Sequence, residues 1–362
     1  MKEIGIGKYL YELSPHRIKE NLRLFWKIKV SPPKEREVFL PPEKVVIITN
    51  KIDTKQTREQ PKQVVYDPKT QQAFVSCMEG RSLQVFHLEN SGISFAQEVR
   101  FGDQCVEVLV ANNFLFVTTT NFDRPPRELR NKLWILDTKS LVVISNVDTG
   151  GNWSKLIAIR PQGDELLVSN WHSHDISAID VSNPRSPKVK QILKWGEAPR
   201  GIAFLPDGNS AIVTGFYSGN LGILEKQTNG EWRSTFTSEP FDQPNYHGNM
   251  RHVLVTNDGK TAIVSNLGRN LVHFWDIEKR KFLDSVSVGK SPNSIDLLEN
   301  DLLAVSCRDS ASVYILNAQT HQVIGRSPTT GKEPTGLCAI PNGFLVTCFG
   351  DNTIEMHRII TS

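Results

Sequence analysis

The stretch GEAPRGIAFLPDGNSAIVTGFYSGNLGILE, residues 196–225, contains three strands and the turns between them. The apolar run GIAF (201–204) leads into Leu-Pro-Asp-Gly, whose Asp207-Gly208 pair closes a tight hairpin. The next run, AIVTG (211–215), is β-branched and carries Thr near its end; after a polar loop, NLGILE (220–225) ends in an acid. Short runs rich in Val and Ile, alternating with period two, are half-buried strands and not helices.

The same order recurs along the chain. The central run has seven copies: AFVSC (73–77), LFVTT (115–119), LLVSN (166–170), AIVTG (211–215), AIVSN (262–266), LAVSC (303–307) and FLVTC (344–348). After each comes a strand such as KLWILD (132–137), DISAID (175–180) or VHFWDI (272–277), and before it a hairpin strand such as VLVTNDG (253–259) or LCAIPNG (337–343). A fourth, outer strand completes the unit, as in KFLDSVSVG (281–289). The residues that open the units are Pro61, Gln104, Ser154, Pro199, Met250, Pro292 and Pro334, spaced by 42 to 51 residues, the range of four-stranded propeller blades.

Only 28 residues follow Pro334, enough for three strands. The missing outer strand is supplied by KVVIITNK (44–51), which stands upstream of Pro61 as every other outer strand stands upstream of an opening residue. The sequence therefore predicts an all-β fold: a seven-bladed β-propeller of four-stranded antiparallel blades over residues 44–362, closed by an N-terminal strand. Such closure removes exposed sheet edges.

The openings GEAPRGIAFLPDG (196–208), GKSPNSID (289–296) and GKEPTGLCAIPNG (331–343), each followed by Val-Ser/Thr and then Asn, Cys or Gly, resemble the YVTN-repeat, YncE-like propellers, to which lactonase-type propellers are similar. The resemblance implies the fold. It does not choose an activity, since that scaffold hosts binding proteins, lactonases, lyases and redox-enzyme subunits.

Hydrophobic content of 39%, charged content of 22% and a net charge of +3 describe an ordinary globular chain. Residues 1–43 hold nine Lys/Arg against six Glu, so this basic arm accounts for the whole excess. That balance gives no clear nucleic-acid signal, which needs a clustered basic face. Within the arm, Ser14-Pro15 begins a predicted helix with Ile18, Leu22, Phe25 and Trp26 on one face, ended by the prolines of SPPKEREVFLPP (31–42). The expected role is packing across the propeller's outer wall; a membrane-surface or partner-binding helix is the alternative.

Five cysteines without a CxxC pair are not a disulfide framework. Neither a signal peptide nor a transmembrane segment is visible, so a cytoplasmic monomer is expected, with a periplasmic or secreted location left open.

In an up-and-down blade the loops between second and third strands, and from fourth strand to next blade, share one face. That face receives both long insertions, NFDRPPRELRN (121–131) and SEPFDQPNYHGNM (238–250), and long loops on a rigid scaffold are where binding concentrates. The residues following the openings are Lys62, Cys105, Lys155, Arg200, Arg251, Asn293 and Thr335. Four of the seven are cationic, and a concave mouth of one charge sign favours an anionic ligand. The ligand-binding set read from the sequence is Lys62, Lys155, Arg200, Arg251, His252, Arg308, Trp171 and Tyr246.

Two functions follow. The first is a binding propeller that captures an anionic small molecule or a protein partner on this top face. The second is a lactonase- or lyase-type enzyme with His252 as base, Arg251 stabilising the oxyanion and Glu79 as an acid. No cofactor is evident; a divalent metal would use His172, His174, His247 and His252. Cys77, Cys307 and Cys348, at equivalent strand ends, are expected to be small buried space-fillers.

Overall fold

The structure, a computed structural model, describes residues 47–123, 131–241 and 249–361. The arm with its expected helix lies outside these residues, as do Arg124, Arg127, Arg130, Tyr246 and His247.

The described residues form seven blades of four antiparallel strands. Their innermost strands are Pro61–Asp67, Gln104–Ala111, Ser154–Ile159, Pro199–Phe204, Met250–Val255, Pro292–Leu297 and Pro334–Ile340. Each packs on the next, and the last packs on the first, so the ring is closed. Seven apolar clusters fill the seven gaps between adjacent blades. Second strands such as Gln72–Cys77 and Leu302–Cys307 are buried along their whole length because a neighbouring blade covers each face. This is why the seven central runs read as continuous apolar stretches. The outer strand Lys188–Lys194 alternates between exposed and half-buried residues, as its polar sequence requires.

Closure occurs where the sequence places it, with longer pairing. The closing strand is Ile47–Gln56, antiparallel to Thr353–Thr361 from Ile47↔Thr361 to Gln56↔Thr353, with a bulge between Lys51 and Asp53. It runs five residues beyond the predicted end at Lys51. Half-exposed outer strands do not need an apolar sequence, so Thr54 and Lys55 carried no strand signal. Glu355 fastens the seam, accepting hydrogen bonds from Lys51 Nζ at 2.8 Å, the Gly331 N–H at 2.9 Å and His357 Nε2 at 2.9 Å.

Cys77, Cys307 and Cys348 are fully buried free thiols at the ends of second strands. They occupy the slot that Asn170 and Asn266 fill in other blades. Burial pushes the Cys77 and Cys348 thiols up to about 12, so they carry no thiolate near neutral pH. Among the described residues, no helix is long and apolar enough to cross a membrane.

Candidate functional site

Each innermost strand slips register immediately after its opening residue: Pro199 pairs with Gly215, but the next pair is Ile202 with Val213. Two residues of the inner strand there face one of the second strand, a β-bulge that re-aims side chains. In every blade but the second, where Thr118 Oγ1 makes no hydrogen bond among the described residues, the Ser or Thr of the repeated central run holds this bulge by accepting an inner-strand N–H. Ser265 Oγ accepts the His252 N–H at 3.0 Å and donates to the Asn293 carbonyl of the next blade at 2.9 Å. Ser76 bridges likewise to the Val106 carbonyl, Ser169 to that of Arg200, and Ser306 to that of Thr335. The motif that reveals the fold is therefore also the device that turns the following residues toward the central throat.

Register changes the alignment of blade two. Counting back three residues from the paired Val64, Ile157, Ile202, Val253, Ile295 and Leu337 gives the other six opening residues, but from Val108 it gives Cys105 and not Gln104. Cys105 is thus core, packed with Phe74, Leu83 and Val117, and the throat positions of this blade are Val106 and Glu107. The spacing was present in the sequence: Gly151, Gly196, Gly289 and Gly331 stand three residues before their opening residues, and Gly102 stands three before Cys105.

The throat is lined by Lys62, Glu107, Arg200, Arg251, His252 and Asn293, with Gln63, Leu156, Ser294 and Thr335 completing it. Lys62 Nζ donates to Glu107 and, at 3.0 Å, to the Val106 carbonyl; Arg200 Nη1 lies 3.7 Å from Glu107. Burial raises the Glu107 pKa, but Lys62 and Arg200 outweigh it and hold the carboxyl below the ordinary glutamate value. Burial pulls Lys62 down to about 8 despite Glu107, and pulls Lys155 well below the usual lysine range, with Lys62 and Arg200 adding to the shift.

Four cations, Lys62, Lys155, Arg200 and Arg251, are each at most 6% exposed around one carboxylate. Taking one ion out of water costs several kcal/mol, and the Glu107 carboxylate favours the charged form of all four. Arg200 Nη1 and both amide atoms of Asn293 are buried without a hydrogen-bond partner among the described residues.

His252 Nδ1 accepts the Ile295 N–H at 3.2 Å. With Nδ1 so occupied, the neutral ring carries its proton on Nε2 and donates. Burial pulls its pKa down to about 4, which keeps the ring neutral. His174 Nδ1 accepts the Ala198 N–H at 2.9 Å, so this ring supports the lead into the next blade. His172 is half-buried beside it, and burial lowers its pKa. Among the described residues no three His, Cys, Asp or Glu side chains gather as metal ligands, and His247 lies outside them. Arg308 is buried, but its Nη2 pairs with Glu333 at 2.6 Å. Glu79 sits in the turn after strand Gln72–Cys77, away from the throat lining.

Trp171 belongs to a row of rings on the rim: Phe122 to Trp153 at 4.8 Å, Trp153 to Trp171 at 4.4 Å, and Trp171 to Phe216 and Tyr217 at 5.6 Å each. Lys155 Nζ lies 4.1 Å from the Trp153 ring centre and 5.6 Å from that of Trp171.

Ring and throat together define a seven-bladed propeller with a cation-rich site on one face. The chain resembles lactonase-type propellers: the sequence model described as "Lactonase, 7-bladed beta-propeller" matches residues 185–338, a stretch that includes Arg200, Arg251, His252 and Asn293. Antigen Lp49 of Leptospira interrogans (serogroup Icterohaemorrhagiae, serovar copenhageni, strain Fiocruz L1-130) is 27% identical over 249 residues, covering 63% of this chain and 52% of that protein. WD repeat-containing protein 36 of Homo sapiens is 24% identical over 219 residues, covering 55% of this chain and 23% of that protein. The chain spans about half the length of the first relative and about a quarter of the second. A crystal structure of a functionally unknown protein from Desulfotomaculum acetoxidans DSM 771 superposes with a TM-score of 0.64 at 16% identity, covering 80% of this chain and 89% of that one; this likeness concerns the fold alone.

Proposed function

We propose that the protein is a binding propeller whose top-face throat captures a small anion. The observation that carries this reading is the buried cluster of Lys62, Lys155, Arg200 and Arg251 beside Glu107, in which Arg200 Nη1 and the Asn293 amide make no hydrogen bond among the described residues. An oxyanion would balance the charge and accept from these donors and from His252 Nε2. A funnel of ten lining residues suits a small ligand better than a protein partner, which needs about 800 Å² per side. Titration calorimetry with acetate and with inorganic phosphate tests the reading. Binding that weakens about tenfold or more in Arg200→Gln, with an unchanged melting temperature, is the expected result; absence of binding by the unaltered protein overturns it.

The match over residues 185–338 favours a second reading, a lactonase- or lyase-type enzyme at the same throat. There Arg251 and His252 would act as donors to a developing oxyanion, since the occupied Nδ1 leaves His252 without a free basic nitrogen. Hydrolysis of a lactone panel, lost in Arg251→Gln, would move the conclusion to this reading. Metal analysis of the purified protein addresses a divalent ion at His172, His174, His247 and His252. Five buried free thiols accord with a reducing, cytoplasmic compartment.

A further inference from the structure

We propose that the anion bound in the throat carries an aromatic ring, and that this ring lies against the Trp153–Trp171 shelf on the rim; the ligand class is a small aromatic carboxylate. The inference rests on the anion-site reading and adds the body of the ligand to its head. Two observations join shelf and throat. Lys155, from the same bulge position as Arg200 and Arg251, is held 4.1 Å and 5.6 Å from the two indole centres, so the cation cluster and the rings share a side chain.

The second observation is that the outer rings of the shelf keep part of their surface exposed. Trp171, Phe216 and Tyr217 remain half-buried on the rim beside the buried Trp153, while Phe74, Phe86, Phe116, Phe274 and Phe344 between blades are almost wholly enclosed. The Trp153 Nε1–H is buried without a partner among the described residues, a donor left over within an otherwise apolar row. A carboxylate seated among Arg200, Arg251 and Asn293 would project its substituent outward past Lys155. A flat ring fits edge-to-face against the indoles there, the geometry these rings already adopt with one another.

The experiment compares acetate, cyclohexanecarboxylate and benzoate by titration calorimetry against the unaltered protein, Trp171→Ala and Trp171→Phe. Benzoate is expected to bind about tenfold tighter than acetate, and tighter than cyclohexanecarboxylate. In Trp171→Ala the preference for benzoate should vanish while acetate affinity stays, and Trp171→Phe should restore part of it. Three results overturn the inference. Acetate and benzoate binding equally removes the shelf but leaves the anion site. A benzoate preference unchanged in both variants, with melting temperatures showing that they fold, places the ring elsewhere. No binding of any carboxylate removes the anion site and this inference with it.

Discussion

Glu107 and Lys62 govern the electrostatics of the throat, and they give it a pH dependence. The Lys62 pKa falls from the ordinary 10.5 to about 8 in the folded protein, first because burial disfavours the ammonium. Between about 8 and 10.5 the unfolded chain therefore binds more protons than the folded one, and the Lys62 contribution makes stability rise with pH across that window. Ligand binding has the opposite sign, because an anion prefers the protonated lysine. Phosphate affinity should fall as pH passes about 8, by roughly tenfold by pH 9.5. In Lys62→Met it should be weaker below pH 8 and flatter above. A profile unchanged in that variant would show that Lys62 does not titrate in the site.

The cationic side of the throat was legible in the sequence because blade repeats place Lys62, Lys155, Arg200 and Arg251 at one structural position. Glu107 was not, because one residue of misregister in blade two put Cys105 in the place of Val106 and so hid that Glu107, the next residue, stands beside His252 and Gln63 at the second throat position. The roles of His174 and His252 were equally hidden, since a backbone N–H donated across a blade boundary has no sequence signature.

At the scale of the element, the inner-strand bulge turns a strand repeat into the lining of the throat. Its keeper, where it is the Ser of the second strand, serves its own blade and the next. Ser265→Ala would leave the His252 N–H without its acceptor and the Asn293 carbonyl without its donor, at a cost of about 1–3 kcal/mol. Because both residues line the throat, phosphate affinity should fall together with the melting temperature. Ser210→Ala, whose Oγ donates to the exposed Asp207 carboxylate at 3.1 Å, should change neither by much. Thermal melts and calorimetry on the two variants check this; equal behaviour would remove the bulge from the account of the site. Close packing also sets the bulge shape: a Cβ on Gly336 would come within 2.8 Å of the Gln63 Cα and Lys62 carbonyl of blade one, so only glycine fits there.

For the whole molecule, stability depends on a ring whose ends meet once. Removing residues 1–56 strips the antiparallel partner of Thr353–Thr361 and opens a long sheet edge, whereas removing residues 1–40 leaves the closing strand in place. The longer truncation should unfold cooperatively at much lower temperature or aggregate; the shorter should melt close to the full chain. Similar melts for both would refute closure by this strand. Blade number, strand order and closure were all readable because seven imperfect copies constrain one another. The end of the closing strand was not, because Thr54 and Lys55 gain their pairing from Thr353–Thr361 and not from their own propensities.

The central claim, a throat built to hold an anion, is tested most directly by anomalous diffraction from a crystal soaked in bromide or selenate. The expected result is one strong anomalous peak within hydrogen-bonding distance of Arg200 Nη1 and the Asn293 amide, at the level of Arg251 and His252. A throat free of anomalous density, with the Arg200 and Arg251 guanidiniums each paired to further carboxylates, would contradict it.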